Sequence, residues 1–481
     1  MTTIKLDPGA ALLLDALHGA GHAAYAVGGC VRDSLLGLDP HDWDLCTSAR
    51  PEQVMALFGE EKCIPTGLQH GTVTVKQGGR LYETTTFRTE GAYSDGRHPD
   101  AVCFVPDVRE DLARRDFTIN AMAYSAEEGL IDPFGGRDDL AAHLVRAVGE
   151  PERRFEEDAL RILRLYRFAA RFGFAIDPAT GAAARALGPH LDCVSAERIQ
   201  EELLKLLAAP RPGSYLEPAV LAVVLPELEP EKQPERFAEL CRTIDRIEPT
   251  AENMPARLAA LLCPLGEAGA RKALRKLKCS NALTDEVTAL VGGSVGSFLL
   301  GHEFELRHPA DALCLERHSH PAGRCPNSNS LFPPQAAVVA VAGHSIARPI
   351  ACGNRVPPQR TVLGETPGTP NTTLTIQAKR LLGRYELPTI QRLTALCSAR
   401  HPEQAEAFAA LQAEAERLTA ENACCRVSQL TVNGRDLMAA GIRPGPGLRQ
   451  VLNALLEAVI TGQTPNEKDA LLAAAAQFSA S

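Results

Sequence analysis

The sequence predicts an α+β fold in which the two kinds of structure are separated along the chain. Three observations carry this. Strand-like runs fall within the first 150 residues, at Tyr25-Ala26-Val27, Gly71-Thr72-Val73-Thr74-Val75-Lys76 and Arg80 to Arg88. From Arg153 helical periodicity takes over, with runs at 155–173, 195–208, 233–246, 255–265, 268–277 and 283–291. A stretch rich in Pro, Gly, Asn and Ser, Pro321 to Pro370, then interrupts the pattern, and helices resume at Gln377. With 481 residues, 45% of them apolar, the chain has material for several cores.

Composition narrows the function classes. The net charge of −9 excludes a generally basic nucleic-acid coat, so any nucleic acid is held by local patches. No apolar run reaches the roughly 18 residues of a membrane span, and no membrane partner is expected. Met1 to Asp7 lacks a charged region followed by an apolar one, so no secretory signal is expected either. The 14 cysteines form no CxxC pairs and read as reduced thiols of a cytoplasmic protein.

In chain order, residues 7–24, with Ala11, Leu12, Leu14 and Leu17, read as a first helix. A short strand, Tyr25-Ala26-Val27, leads into Gly28-Gly29 and a helix carrying Val31, Leu35 and Leu36. Paired glycines at a helix start let backbone N–H groups approach a phosphate closely. Asp42-Trp43-Asp44 follows in a strand-like run. Alternation puts both carboxylates on one face and Trp43 and Leu45 on the other. Two carboxylates side by side repel, and a divalent cation relieves that repulsion. Metal and phosphate together point to phosphoryl or nucleotidyl transfer. Ser48 reads as the N-cap of the next helix, with Pro51 in its first turn.

Gln77-Gly78-Gly79 joins the two β-rich runs in a hairpin. Glu83, on its second strand, reads equally as a third metal-site carboxylate or as an edge acid. Residues 89–113 read as a long polar loop, and loops of that length are often functional lids. Arg114-Arg115 suits triphosphate contact and Asp116 can accept a ribose hydroxyl; alone, the trio also reads as solvated charges at a helix start. In Glu157 to Phe168, read as one largely buried helix, arginine recurs every third residue at Arg161, Arg164 and Arg167. Asp158 and Arg161 are neighbours there. A carboxylate accepts from an exocyclic amine and arginine donates to ring acceptors, so such a pair can mimic a base edge. Salt bridges to the first domain explain the charges equally well, Arg167 above all.

These motifs in order, Gly28-Gly29-Cys30-Val31-Arg32-Asp33 with Asp42-Trp43-Asp44, Arg114 to Met122, Arg154 to Arg161 and Ser195-Ala196-Glu197-Arg198, resemble those of the bacterial class II tRNA nucleotidyltransferase and poly(A) polymerase family, nearest its CCA-adding branch. The resemblance is close over residues 10–210 and returns at Val432 to Met438. It implies a polymerase-β-like head with a mixed β-sheet (1–150), a helical neck (151–210), a helical body (211–296) and a helical, tRNA-binding tail (376–481). It implies that Asp42 and Asp44 bind Mg²⁺, that Gly29, Arg32 and Arg115 contact the nucleotide, and that Asp116 selects ribose. Asp158 and Arg161, supported by Arg164 and Arg167, would read C and A, and the Ser195 to Arg198 helix would brace the neck. The expected activity is template-independent addition of CCA to tRNA from CTP and ATP by two-metal chemistry. Glu90 to Pro99 resembles the intact loop of full CCA-adding enzymes. Poly(A) polymerase is the alternative, and an inactive RNA-binding relative a third.

The segment 297–375 departs from the family pattern and reads as an insertion of low order. Cys314, His318, His320 and Cys325 lie close together in it, without a recognised zinc spacing. Residues 402–421 read as a solvated Ala/Glu-rich strut. Arg435, Arg443 and Arg449 are candidates for tRNA backbone contact.

Overall fold

The computed structural model describes residues 3–65, 67–90, 102–295 and 372–478. The chain divides into two compact units, 1–298 with 373–481, and 299–372. The second unit, with the Cys314/His318/His320/Cys325 group, lies outside the described residues, as does most of the Glu90 to Pro99 loop.

The first helix, α1 (Pro8–Gly19), starts where Asp7 accepts from the amides of Gly9 and Ala10, with Pro8 at its first position. It buries Ala10, Leu13, Leu14 and Leu17, one face at helical spacing. There follow β1 (Ala24–Val27), α2 (Gly29–Leu35), β2 (Leu45–Thr47), α3 (Pro51–Phe58), β3 (Cys63–Ile64), β4 (Thr72–Gln77), β5 (Arg80–Thr86), β6 (Arg88–Glu90), β7 (Val102–Phe104), α4 (Val108–Ala113), β8 (Ala123–Ser125), β9 (Gly129–Ile131), α5 (Gly136–Ala141) and β10 (Leu144–Val145). Seven strands form one mixed sheet in the order β3-β4-β5-β2-β1-β8-β9. Every neighbour is antiparallel except β2 and β5, which run parallel with Leu45 opposite Thr84. The β4–β5 turn is Gly78-Gly79, both at positive φ (57° and 80°), the conformation a two-residue hairpin demands. Tyr25, Val27, Cys46, Phe87, Val108, Leu112 and Val148 join in one buried core.

Helices follow: α6 (Pro151–Glu157), α7 (Leu160–Phe172), then after the short strand β11 (Ala175–Ile176), α8 (Pro178–Ala186) and α9 (Ala196–Leu207). β11 pairs in parallel with β10. Next come α10 (Pro218–Val224), α11 (Pro234–Arg246), α12 (Met254–Leu262), α13 (Gly266–Lys276) and α14 (Asn281–Val295). Past residue 371 lie α15 (Thr372–Arg384), α16 (Leu387–Arg400), α17 (Ala405–Ala420), α18 (Gly434–Ala439), α19 (Pro446–Ile460) and α20 (Lys468–Phe478). Helix α16 packs on α11, α12 and α14, and α18 to α20 share a separate core around Leu437, Leu455 and Leu471.

Several local expectations are corrected. The first helix ends at Gly19, and residues from Ala24 belong to the strand. Ser48 does not cap α3: its hydroxyl accepts from the Ala23 amide, and Arg50 occupies the N-cap position. Residues 89–113 are not one loop, since β7 and α4 fill its second half, and Arg114 ends α4 instead of starting a helix. The strut at α17 is not fully solvated, because Phe408, Leu411, Ala415 and Leu418 are buried. The helix read through Glu157 to Phe168 is broken at Asp158, whose backbone is extended (φ −147°, ψ 102°).

One buried cation joins α9 to the helices beyond it. Arg257 on α12 is fully buried and its guanidinium donates to the carbonyls of Ile247, Leu207, Ala209 and Pro210. One of these, Leu207, is the last residue of α9, where free carbonyls carry the negative end of the helix dipole, and Ala209 and Pro210 follow directly. Arg257→Met fills similar volume but leaves those carbonyls without donors. We expect a loss of about 3 kcal/mol in urea unfolding, several such charge-assisted bonds being removed together; an unchanged midpoint would mean that water replaces the guanidinium at no cost.

Candidate nucleotide and metal site

The site is built on three neighbouring strand ends and one helix outside the sheet. Asp42, Trp43 and Asp44 precede β2 and do not lie within it, so the carboxylates are not in the strand itself. The predicted alternation nevertheless holds, with Asp42 and Asp44 exposed and Trp43 and Leu45 buried. The Asp44 carbonyl accepts from Val27 N at 3.0 Å, which extends the β1–β2 pairing to the carboxylate. Carried back one residue, the parallel β2–β5 register sets Asp44 beside Glu83. Electrostatics agree: desolvation first, then the charge of Glu83 and that of Asp42, push the Asp44 carboxyl up to about 6, while Arg115 opposes them. A desolvated carboxylate with two further carboxylates beside it fits a hard divalent cation with oxygen ligands. Among the described residues, no three His, Cys, Asp or Glu side chains converge on one metal position.

Gly28 precedes α2 at φ 77°. Its amide donates to Met122 O, and a Cβ there would lie 2.8 Å from Arg115 Nη1, so only glycine allows the guanidinium to rest against this turn. Arg115 is oriented from behind by Asp111, fully buried on α4, at 3.4 Å. Asp111 also takes two hydrogen bonds from Arg114. Burial alone would raise the Asp111 carboxyl, but Arg114 and Arg115 hold it low. Arg115 Nε is buried and has no hydrogen-bond partner in the structure, an N–H donor left over beside the Gly28-Gly29 turn.

Asp116, the next residue, faces the other way. Its Oδ2 accepts from Arg164 Nε (2.9 Å) and Nη2 (2.6 Å) on α7, and its Oδ1 accepts from Phe117 N (2.8 Å) and Asn120 Nδ2 (3.0 Å). Burial would raise this carboxyl, yet Arg164 and the Asn120 hydrogen bond outweigh it and hold it well below the usual range. Arg164 is raised in turn: burial alone would lower it, and Asp116 outweighs that. A ribose hydroxyl approaching Asp116 has to share an oxygen with these donors.

Arg32 lies almost wholly buried. It donates to Asp33 Oδ1 and Asn120 Oδ1 and stacks on Phe168 and Phe172, 5.3 and 4.8 Å from the ring centroids. Its guanidinium therefore ties α2 to α7. Asp158 and Arg161, expected as an adjacent pair, are held apart. Asp158 Oδ2 accepts from Arg198 Nη2 on α9 at 2.8 Å, and Oδ1 from Leu160 N. Arg161 donates to Glu157 Oε2 (2.8 Å) and to the carbonyls of Arg154 and Arg114. Three of its N–H donations are thus taken, and the Arg114 carbonyl it caps is at the end of α4. Arg167 pairs with Glu202 on α9 at 2.8 Å and lies 4.0 Å above the Phe168 ring; burial chiefly lowers it to about 10.

The residues missed by sequence reasoning are the ones that hold the others. Asp111 stands three and four residues before Arg114 and Arg115, a spacing that could have found it. Glu202, Asn120 and Asp33 carry no such signal. The Asp116–Arg164 pair yields a measurable consequence. A carboxyl held below its unfolded value stabilises the protein above that value, about 3.9, and the contribution fades as pH falls towards the native pKa. Asp116→Asn should therefore cost stability at pH 7 and cost progressively less below pH 4, as read from urea midpoints across pH. A constant difference would show that charge is not what the pair contributes.

Residues 24–146 match the poly(A) polymerase head domain family, 173–231 a probable RNA and SrmB-binding site of polymerase A, and 382–475 tRNA nucleotidyltransferase domain 2. The chain is 32% identical over 463 residues to a CCA-adding enzyme of Lactiplantibacillus plantarum, covering 96% of this chain and 93% of the relative. It is 42% identical over 281 residues to one from Lactobacillus helveticus, covering 58% and 69%. Among solved structures, a Bacillus stearothermophilus CCA-adding enzyme in complex with CTP superposes with a TM-score of 0.69 at 29% identity, covering 98% of each chain.

Proposed function

This chain belongs to the CCA-adding enzyme family, and we infer from that premise how its residues divide the work. It adds C, C and A to the 3′ end of tRNA without a nucleic-acid template, taking CTP and ATP and releasing pyrophosphate. Two relatives that span nearly the whole chain are CCA-adding enzymes, which favours this over poly(A) addition or an inactive RNA-binding role.

One observation carries the residue-level reading. Adjacent residues Arg115 and Asp116 face opposite walls: Arg115 rests on the Gly28 turn within the field of Asp44, and Asp116 holds Arg164 on α7. A nucleotide lying across this segment meets the carboxylates at its phosphates and α7 at its base.

The family uses a divalent metal. We assign it to Asp42 and Asp44, take it to be Mg²⁺ because the donors are hard carboxylate oxygens, and place Glu83 beside them as a further catalytic acid. Bound there, the metal supplies Lewis-acid activation of the tRNA 3′-hydroxyl and charge neutralisation of the triphosphate. Arg115 offers its unpaired Nε to the phosphates, and the amide of Gly29 opens towards them at the start of α2. Asp116 receives the ribose hydroxyl and discriminates against deoxyribose. Asp158 accepts from the exocyclic amine shared in kind by cytosine and adenine, and Arg161 donates to a ring acceptor. Arg164 and Arg167 keep that wall in place through Asp116 and Glu202, and Arg32 acts on the nucleotide side by fixing α2 against α7.

We assign residues 1–150 to the catalytic head, 151–210 to the neck, 211–296 to the body and 376–481 to a tail that contacts tRNA, with 297–375 inserted between them. No helix of the described residues is long and apolar enough to cross a membrane. The described cysteines are all free, which suits the reducing cytoplasm.

The reading is tested with tRNA transcripts lacking CCA, Mg²⁺ and each nucleotide, sizing the products. Growth should stop after CCA; a ladder of A would establish the polymerase alternative, and no product an inactive relative. Asp42→Ala should abolish transfer and leave tRNA binding, measured by gel shift, within about twofold. An equal loss of both would remove the metal role. Arg161→Ala should relax the choice of base while leaving Mg²⁺ dependence alone, and unchanged C/A selectivity would count against it.

A further inference from the structure

Outside the residues assigned so far, one neutral side chain stands between two of them. Asn120 follows the Arg115–Asp116 segment and is 6% exposed. Its Oδ1 accepts from Arg32 Nη1 and its Nδ2 donates to Asp116 Oδ1 at 3.0 Å. These bonds extend in both directions. Arg32 continues to Asp33, which takes Arg171 of α7 at 3.3 Å, and Asp116 continues to Arg164 of α7. The chain Arg171–Asp33–Arg32–Asn120–Asp116–Arg164 thus leaves α7, crosses the head and returns to α7 two turns away. Donor and acceptor alternate along it, and Asn120 is its only uncharged link. An amide is the side chain that can accept from a cation at one end and donate to an anion at the other without adding charge.

We propose that Asn120 is a positioning residue for base selection, setting Asp116 and through it Arg164 against the base, while its other end holds Arg32. The proposal rests on the reading of Arg164 as part of the base-reading wall. Alanine at this position leaves Arg32 Nη1 without its acceptor and frees one side of Asp116, so that carboxylate and Arg164 shift together. Serine keeps a hydroxyl that can bond one of the two neighbours. Aspartate would set a second negative charge against Asp116 and is the harsher change.

The test uses the full chain and tRNA primers awaiting C or A. Incorporation of CTP, ATP and UTP is measured for the wild type, Asn120→Ala, Asn120→Ser, Arg164→Ala and the Asn120→Ala/Arg164→Ala double variant, with thermal unfolding of each. Asn120→Ala should raise the KM for CTP roughly tenfold, the effect of one lost charge-assisted hydrogen bond, with a smaller change in kcat. The U-to-C misincorporation ratio should rise, serine should restore part of the loss, and the double variant should be no worse in base choice than Arg164→Ala alone. If the Asn120 variants lower thermal stability and kcat but leave base choice unchanged, or if the two losses multiply, the proposal is overturned and Asn120 is structural only. If Asn120→Ala does not fold, Asn120→Ser carries the test, and failure of both to fold likewise assigns a structural role. If Arg164→Ala itself leaves base choice unchanged, the reading of Arg164 fails and this proposal falls with it. Altered choice in Arg164→Ala alone sinks the proposal and leaves that reading standing.

Discussion

The arrangement depends on one charge pair whose carboxylate lies almost out of reach of solvent. Asp116 is almost fully buried, and a carboxylate there is costly unless a cation and hydrogen bonds compensate it. The cation, Arg164, belongs to a helix outside the sheet, so the energetic requirement of the head becomes a geometric requirement on the neck. Around this pair the remaining contacts fall into a consistent pattern. Phe117 meets Phe168 edge-on at 5.9 Å, and Arg32 lies against Phe168 and Phe172. Arg154 and Arg161 cap the carbonyls that end α4. Each joins an element of the first 150 residues to α6 or α7, so the Arg115–Asp116 segment and α7 are held by the same set of contacts.

A second layer lies behind α7. Helix α9 sends Arg198 to Asp158 and Glu202 to Arg167, one positive and one negative partner on successive turns of one face. Arg257 in turn closes the end of α9. The orientation of the Asp158 carboxylate is therefore set from α9, which is itself tied to the helices beyond it.

Much of this was readable from the sequence where the pattern is local. The Gly28-Gly29 turn, the alternating Asp42 and Asp44 and the Gly78-Gly79 hairpin depend on residues within a few positions of each other, and they stand as expected or one residue displaced. The break at Asp158 was not readable. Glu157 to Phe168 has no Gly or Pro to end a helix, and the interruption follows from distant partners: Arg198 draws the Asp158 side chain towards α9 while Arg161 is drawn towards α4. The same distance hid the pairings of Asp116 with Arg164 and of Arg167 with Glu202. A regular arginine spacing says that charges are present on a buried helix, and it does not say which carboxylate each one meets.

The pairing of Asp116 with Arg164 also bears on how the protein is made. A ribosome delivers the whole sheet, and Asp116 with it, before α7 emerges. During that interval the carboxylate lacks its cation, Arg32 lacks the two phenyl rings that cover it, and the C-terminal end of α4 lacks its caps. Until α7 has left the exit tunnel, Asp116 keeps only the hydrogen bonds from Phe117 and Asn120, without the cation that completes it. A boundary drawn at residue 150 therefore cuts through the contacts on which this buried charge depends.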